Sequence, residues 1–329
     1  MHKYRNCFSC FTRFKRPFLL FWRKVFPFPI PKSVPTTKLA KIHNFSIDEL
    51  SLLNPLMPNF YPFDLYRRHT LEATLRRAAR LFSYLPLMDD GLVGTHIADL
   101  GSGRGGLALH AARSGARDIA AFDLDNSNFM HFTDQEREVH IPSTISCVKC
   151  DICNADLKEY ESHFDMAVSH NMLEHVSNPE KSLKNIAQIV KRGGYFLLKA
   201  GPLFNSPEGP HIFDAVKIPY YHHLFSDNVI RQYLSLLAEN GQLDPVNMKT
   251  LNSISVTGRK NDPYPTVNRY NALDYYRMFS QSKDWTIIRY ESSLDFRSSW
   301  MLRLFPSYLS RLGSAELFTC SIISVLRRI

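Results

Sequence analysis

No stretch of this 329-residue chain approaches the roughly 20 consecutive apolar residues that a membrane-spanning helix requires. Cysteine is scarce, with six residues scattered at Cys7, Cys10, Cys147, Cys150, Cys153 and Cys320. That is too few for a secreted domain stapled by disulfides, so a reducing compartment is expected. Acidic side chains are missing from the first 47 residues, which hold ten Lys or Arg. The remainder carries 30 basic and 31 acidic side chains, so the net charge of +9 belongs to the leader. A near-neutral body lacks the basic working face of a nucleic-acid enzyme, and no nucleic-acid partner is expected. Internal repeats and low-complexity tracts are absent as well.

What is present describes a globular enzyme-sized chain. Hydrophobic residues make up 44% and charged residues 22%, enough for a real core. The length suits one α/β domain with about a hundred residues of extensions.

In the leader, Phe8, Phe11, Phe14, Phe18, Phe21, Trp22, Val25 and Phe26 recur at steps of three and four. That spacing gathers them on one helix face, with Arg and Lys between them, and Pro17 would kink the helix. Three readings stay open: contact with a membrane surface through residues 1–30, a tail or packing helix, and a mitochondrial targeting segment. Residues 27–37, PFPIPKSVPTT, read as an extended linker. The leader and linker are therefore assigned to 1–37 and the folded domain to 38–329.

Residues 67–85 have apolar positions at helical spacing. The segment HIADLGSGRGGLALHAARSG then reads as a strand at 96–100, a turn carrying Gly101, Gly103, Gly105 and Gly106, and a helix at 107–113 that Gly115 closes. Glycines let the backbone approach a ligand, and the helix start offers free N–H groups. The second strand, 118–122, ends at Asp123, placed to take two ribose hydroxyls. Both NAD and S-adenosylmethionine fit this much, because Gly101, Gly103 and Gly106 also satisfy G-x-G-x-x-G.

Three features separate the two cofactors. Asp99, two residues before the first glycine, can hold the ammonium of a methionine moiety and would gain nothing beside a pyrophosphate. A third strand at 145–151 ends with Asp151 placed for an adenine amino group and Ile152 against the ring. The segment FDMAVSHNMLEHVSNPEKSLKNIAQIVKRGGYFLLK then gives strand, loop, helix, Gly-Gly turn and strand. Over about residues 65–200 the chain resembles the class I S-adenosylmethionine-dependent methyltransferases. The residues that carry the resemblance are Asp99, Gly101, Gly103 and Gly105, then Asp123, Asp151, the Leu173-Glu174-His175 loop, and Arg192-Gly193-Gly194, where the family's usual turn proline is missing. The NMLEHV string is similar to the branch that includes ubiquinone-pathway O-methyltransferases.

The resemblance implies an α/β, Rossmann-like fold: a seven-stranded, mostly parallel sheet, helices on both faces, and an antiparallel last strand. It implies S-adenosylmethionine as cofactor, with Asp99, Gly101, Ser102, Gly103, Gly105, Asp123, Leu124, Asp151, Ile152 and His170 around it.

Ligands in open α/β sheets bind beyond the carboxyl ends of the strands. Two segments lie there: the loop after the fourth strand, Ser169 to His175, and the loop 200–227, which carries four prolines and ends at Ser226 as a helix N-cap. The second reads as a lid over the acceptor and is similar to a lid in bacterial methyltransferases associated with glycan or lipid-linked substrates. Candidate bases for a hydroxyl acceptor are His170, His211, His222 and His223. A cation held by His211, Asp214, His222 and His223 meets no known ligand spacing, so no metal is expected. Cys147, Cys150 and Cys153 read as small apolar residues, the first two facing opposite sides of a strand.

Residues 240–284 read as a polar, turn-rich insertion, 285–290 as the sixth strand and 317–326 as the last. Between these strands, 298–313 is another aromatic, basic stretch. The expected protein methylates a small or lipid-linked acceptor in the cytoplasm, at the inner membrane face if the leader is a surface anchor, or in mitochondria in a eukaryote. An NAD(P)-dependent oxidoreductase and a non-catalytic membrane adaptor on the same fold are the competing readings.

Overall fold

A computed structural model describes residues 46–56, 70–86, 91–132, 140–212, 215–243, 247–248, 251–252, 255–294 and 319–329. The leader, the proline linker, Asp214 and the stretch 298–313 lie outside the described residues.

The chain opens with α1 (Ile47–Leu53), capped by a Ser46/Glu49 capping box, and α2 (Leu71–Phe82), capped by Thr70. Then follow β1 (His96–Leu100), α3 (Gly106–Arg113), β2 (Asp118–Asp123), β3 (Ile145–Lys149) and β4 (Phe164–His170). Next come α4 (Pro179–Ile189), β5 (Val190–Ala200), a single turn α5 (Tyr221–Leu224) and α6 (Asp227–Glu239). Ser226 caps α6 by accepting from the Val229 N–H. The chain closes with α7 (Ala272–Ser280), β6 (Trp285–Leu294) and β7 (Thr319–Arg328).

The seven strands lie in the order β3-β2-β1-β4-β5-β7-β6. β7 runs antiparallel to both its neighbours, and the other pairings are parallel. This matches the expected fold class. Alternation along the strands supplies two apolar faces. Ile97, Ala121, Val168 and Leu197 point to the side covered by α2 and α3. Ala98, Phe122, Ala167 and Phe196 point to the side covered by α4 and α7. A third cluster lies off the sheet, where Leu50 and Leu53 of α1 meet Phe204, Ile212, Tyr221, Tyr264 and residues of α6. The segment after β5 therefore has its own core. Asn54 fastens it, donating to the Ala215 carbonyl (2.7 Å) and accepting from the Lys217 N–H (2.6 Å).

Several boundaries differ from the sequence reading. β3 stops at Lys149: the Cys150 N–H makes the last ladder bond, to the Asp123 carbonyl, and the chain then enters a turn, so Cys150 lies just past the strand. Residues 240–284 are not all turn: α7 lies within them, started by a reciprocal Asn271/Asp274 capping box. Among the described residues no helix is long and apolar enough to cross a membrane.

Candidate cofactor and acceptor site

The glycine loop is built as the sequence suggests. Gly101, Gly103 and Gly105 have φ of +69°, +50° and +74°. Gly101 has a second reason to lack a side chain, since a Cβ there would stand 2.6 Å from Met172 Cβ. The Gly101 and Ser102 N–H groups donate to the Phe122 carbonyl, and Gly103 N–H donates to Asp123 Oδ2 at 2.7 Å. The loop and the end of β2 are thus locked together.

Asp99 is fully buried. One carboxylate oxygen accepts from the Ala108 N–H of α3 at 3.0 Å, and the other has no partner among the described residues. Burial pushes this carboxyl up to about 7, and the Asp123 charge adds to the effect. Three more buried polar atoms have no partner among the described residues and belong to the same strand ends: Ser102 Oγ, Ser169 Oγ and Asn171 Oδ1. Leu100 and Ser169 are register partners on β1 and β4, so Ser169 faces the α4 and α7 side of the sheet while Asp99 faces the α2 and α3 side, both at the carboxyl ends of the strands. Each unpaired buried group costs about 1–3 kcal/mol, so the fold holds unsatisfied polarity where a polar ligand would answer it. Ser169 and Asn171 lie in the loop that the sequence placed at the ligand end of the sheet, but neither was singled out as a site residue. The available signal was a polar residue closing an otherwise apolar strand.

Asp123 and Asp151 also hold their own turns. Asp123 Oδ1 accepts from Asp125 N–H (3.1 Å), and Asp151 accepts from Cys153 N–H (2.9 Å) and Asn154 Nδ2 (2.8 Å). Ile152 is buried against the sheet, whereas Leu124 is 65% exposed at the mouth of the crevice.

The four candidate histidines fall in three environments. His170 ends β4 opposite Lys199 of β5, and burial, with the Lys199 and Arg77 charges, lowers it to about 3. His211, at φ +63°, shares a ring–nitrogen hydrogen bond with the Pro202 carbonyl (3.0 Å) and packs edge-on against His175 at 4.9 Å. A carbonyl only accepts, so His211 Nε2 carries the proton and Nδ1 the lone pair. Burial, helped by His175, lowers His211 to about 3. The His222 and His223 rings lie 3.9 Å apart at a tilt of 44°, beside Phe204 and Tyr264, and burial holds His222 well below its usual range. Among the described residues His211, His222 and His223 form no metal-ligand set, and neither do Cys147, Cys150 and Cys153.

The Leu173-Glu174-His175 loop joins the two halves of the site. Buried Glu174 accepts from the Gly201 N–H at 2.9 Å, and burial raises its carboxyl. Asn268 donates to the carbonyls of Leu173 (2.6 Å) and Val176 (3.1 Å), and His175 Nδ1 meets the Thr266 carbonyl at 2.7 Å. Nothing in the sequence spacing pointed to Asn268, which reaches across 92–95 residues.

One pH effect follows. The unfolded His211 ring titrates near 6.5, whereas the folded ring resists protonation down to about 3. Its contribution is intact above pH 6.5 and is lost as pH falls toward 3, because only the unfolded chain takes the proton. Between pH 6.5 and 5 this amounts to about 2 kcal/mol. Urea unfolding at pH 7.5 and 5.0 should show His211→Asn, which tolerates the positive φ, losing about that much less than the parent. Equal losses would contradict it.

The strand order separates the two cofactor classes raised by the glycine loop. A dinucleotide-binding sheet runs 3-2-1-4-5-6. Here an antiparallel β7 is inserted between β5 and β6. Residues 98–198 match the family described as "Methyltransferase domain". These residues are a class I, S-adenosylmethionine-dependent methyltransferase domain. Among curated proteins, the chain is similar to the ubiquinone biosynthesis O-methyltransferases of Proteus mirabilis (30% identity over 34% of this chain and 44% of that protein) and Coxiella burnetii (28%, 31% and 42%). The chain thus spans less than half the length of these relatives. A solved S-adenosylmethionine-dependent methyltransferase from Mesorhizobium loti superposes with a TM-score of 0.46 at 16% identity, covering 78% of this chain and all of that one.

Proposed function

We propose that the whole chain is an active S-adenosylmethionine-dependent methyltransferase acting on a hydroxyl of a small or lipid-linked acceptor. The observation that carries this reading is the buried Asp99 Oδ1, without a partner among the described residues, beside a positive-φ glycine loop. In this reading Asp99 holds the cofactor's ammonium, Gly101 to Gly105 pass close along it, and Asp123 takes the ribose hydroxyls. Asp151 accepts from the adenine amino group, with Ile152 and Leu124 against the ring. When bound, S-adenosylmethionine supplies a methyl group activated by a sulfonium.

The chain's own task is then to align the acceptor and exclude water. A histidine kept neutral down to about pH 3 aligns a hydroxyl well but takes its proton weakly. That favours an acidic, phenol-like hydroxyl, in line with the O-methyltransferase names of the relatives. His211 is the preferred contact, because its Nδ1 lone pair is left to accept. His170, His222 and His223 are the alternatives.

Calorimetry with S-adenosylhomocysteine tests the cofactor half. The parent should bind, and Asp123→Ala should bind at least tenfold more weakly, since a hydrogen bond to a charged group is worth about 1.5–3 kcal/mol. No binding by the parent, or no loss in the variant, would sink the proposal. Turnover on a panel of phenols and lipid-linked glycans tests the acceptor half. Binding of S-adenosylhomocysteine without turnover on any of them would leave the adaptor reading standing. We also propose a cytoplasmic enzyme that touches the inner membrane face through residues 1–30. Co-sedimentation with anionic vesicles should be lost when these residues are removed.

A further inference from the structure

The strand ends far from the glycine loop carry a second cluster. His96 opens β1, Asp118 opens β2, and His163 immediately precedes β4. These three strands are neighbours in the sheet, and His96 and Asp118 are register partners. His163 Nε2 lies 3.1 Å from Asp118 Oδ2, His96 Nδ1 lies 3.6 Å from the same oxygen, and one atom from each residue falls within 4.8 Å of the others.

We propose that His96, Asp118 and His163 form a binding site for a zinc-like divalent cation, with water as fourth ligand. Zinc bonds of about 2.0–2.1 Å to imidazole nitrogen and carboxylate oxygen place tetrahedral ligand atoms about 3.3–3.4 Å apart. The two measured separations bracket that value. A hydrogen-bonded structural cluster explains the contact of His163 with Asp118. It leaves His96 Nδ1, a buried atom without a hydrogen-bond partner among the described residues, unexplained. Two imidazoles and one carboxylate are a donor set that zinc accepts.

The supports of the ligands are fixed without the ion. The His163 N–H donates to the Tyr160 and Ile189 carbonyls, both at 3.0 Å. The His96 N–H donates to Asp165 at 2.9 Å, and Lys191 pairs with Asp165 at 2.6 Å. The three side chains are 25%, 42% and 41% exposed, so an ion and a water can reach them. Bound there, a cation would fasten the starts of three central strands from the end opposite the proposed cofactor crevice.

Cobalt(II) titration of the chelator-treated full chain tests this. The parent should take up one equivalent and develop the intense visible bands of four-coordinate cobalt, which zinc then abolishes. Asp118→Asn and His163→Gln should bind at least tenfold more weakly, and exposed His140→Gln should behave as the parent. Added zinc should raise the melting temperature of the parent and of neither site variant. A spectrum like that of aqueous cobalt, or bands that survive in both site variants, would overturn the site. If a variant does not fold, the spectrum of the parent decides.

Discussion

S-adenosylhomocysteine is expected to bind at least tenfold more weakly at pH 5.5 than at pH 8, with Asp99 as the cause. Its carboxyl is held near 7 by burial, so at pH 5.5 it is mostly protonated and at pH 8 mostly ionised. An ammonium prefers the ionised form, and the proton must leave before it binds. A pKa 1.5 units above the working pH makes that cost about 2 kcal/mol. Calorimetry in buffers of different ionisation enthalpy should detect a released proton near pH 6. Asp99→Asn should bind weakly at both pH values and show no such release. A parent affinity that is flat across this range would remove Asp99 from the proposed contact.

Gly209→Ala should cripple the proposed lid while sparing the glycine loop. A Cβ at this position would lie 2.0 Å from the Phe204 carbonyl oxygen and 2.4 Å from that of Leu203. Both are backbone atoms of the preceding turn, which the Ser206 N–H closes onto the Leu203 carbonyl, so no side chain can swing aside. Overpacking of this kind costs about 1–3 kcal/mol. Hydrogen exchange should rise in peptides covering 203–225 and stay unchanged over 96–113. Turnover should fall more than tenfold with S-adenosylhomocysteine affinity within threefold of the parent. A melting temperature and exchange pattern like the parent's would contradict the packing described for this turn.

The legible part of the site was the part encoded locally. Asp99 and the glycines lie within seven residues, and Asp123 follows at a distance one strand and one helix fix, so spacing alone set them in place. Ser226 as a cap and the two-faced strands were readable for the same reason. What escaped was long-range. Asn268 holds a loop more than 90 residues away, and Asn54 fastens a segment 161–163 residues away. His96, Asp118 and His163 meet only because β2, β1 and β4 are laid side by side. α7 was readable from its Asn271/Asp274 capping box, but the polar, proline-containing run before it masked the helix. The protonation states of His170 and His211 also escaped, because residue type fixes the ordinary pKa and burial moves it.

Asn54 ties two regions that the sequence keeps far apart. Ser46 starts α1, α1 delivers Asn54, and Asn54 grips the backbone at Ala215 and Lys217 as well as the Tyr233 hydroxyl (3.0 Å). The helix is a strut with a joint at each end: one is the cap at Ser46 and the other is the segment after β5. A constraint imposed at Ser46 from outside is therefore handed on to that segment as tension and need not pass through the sheet.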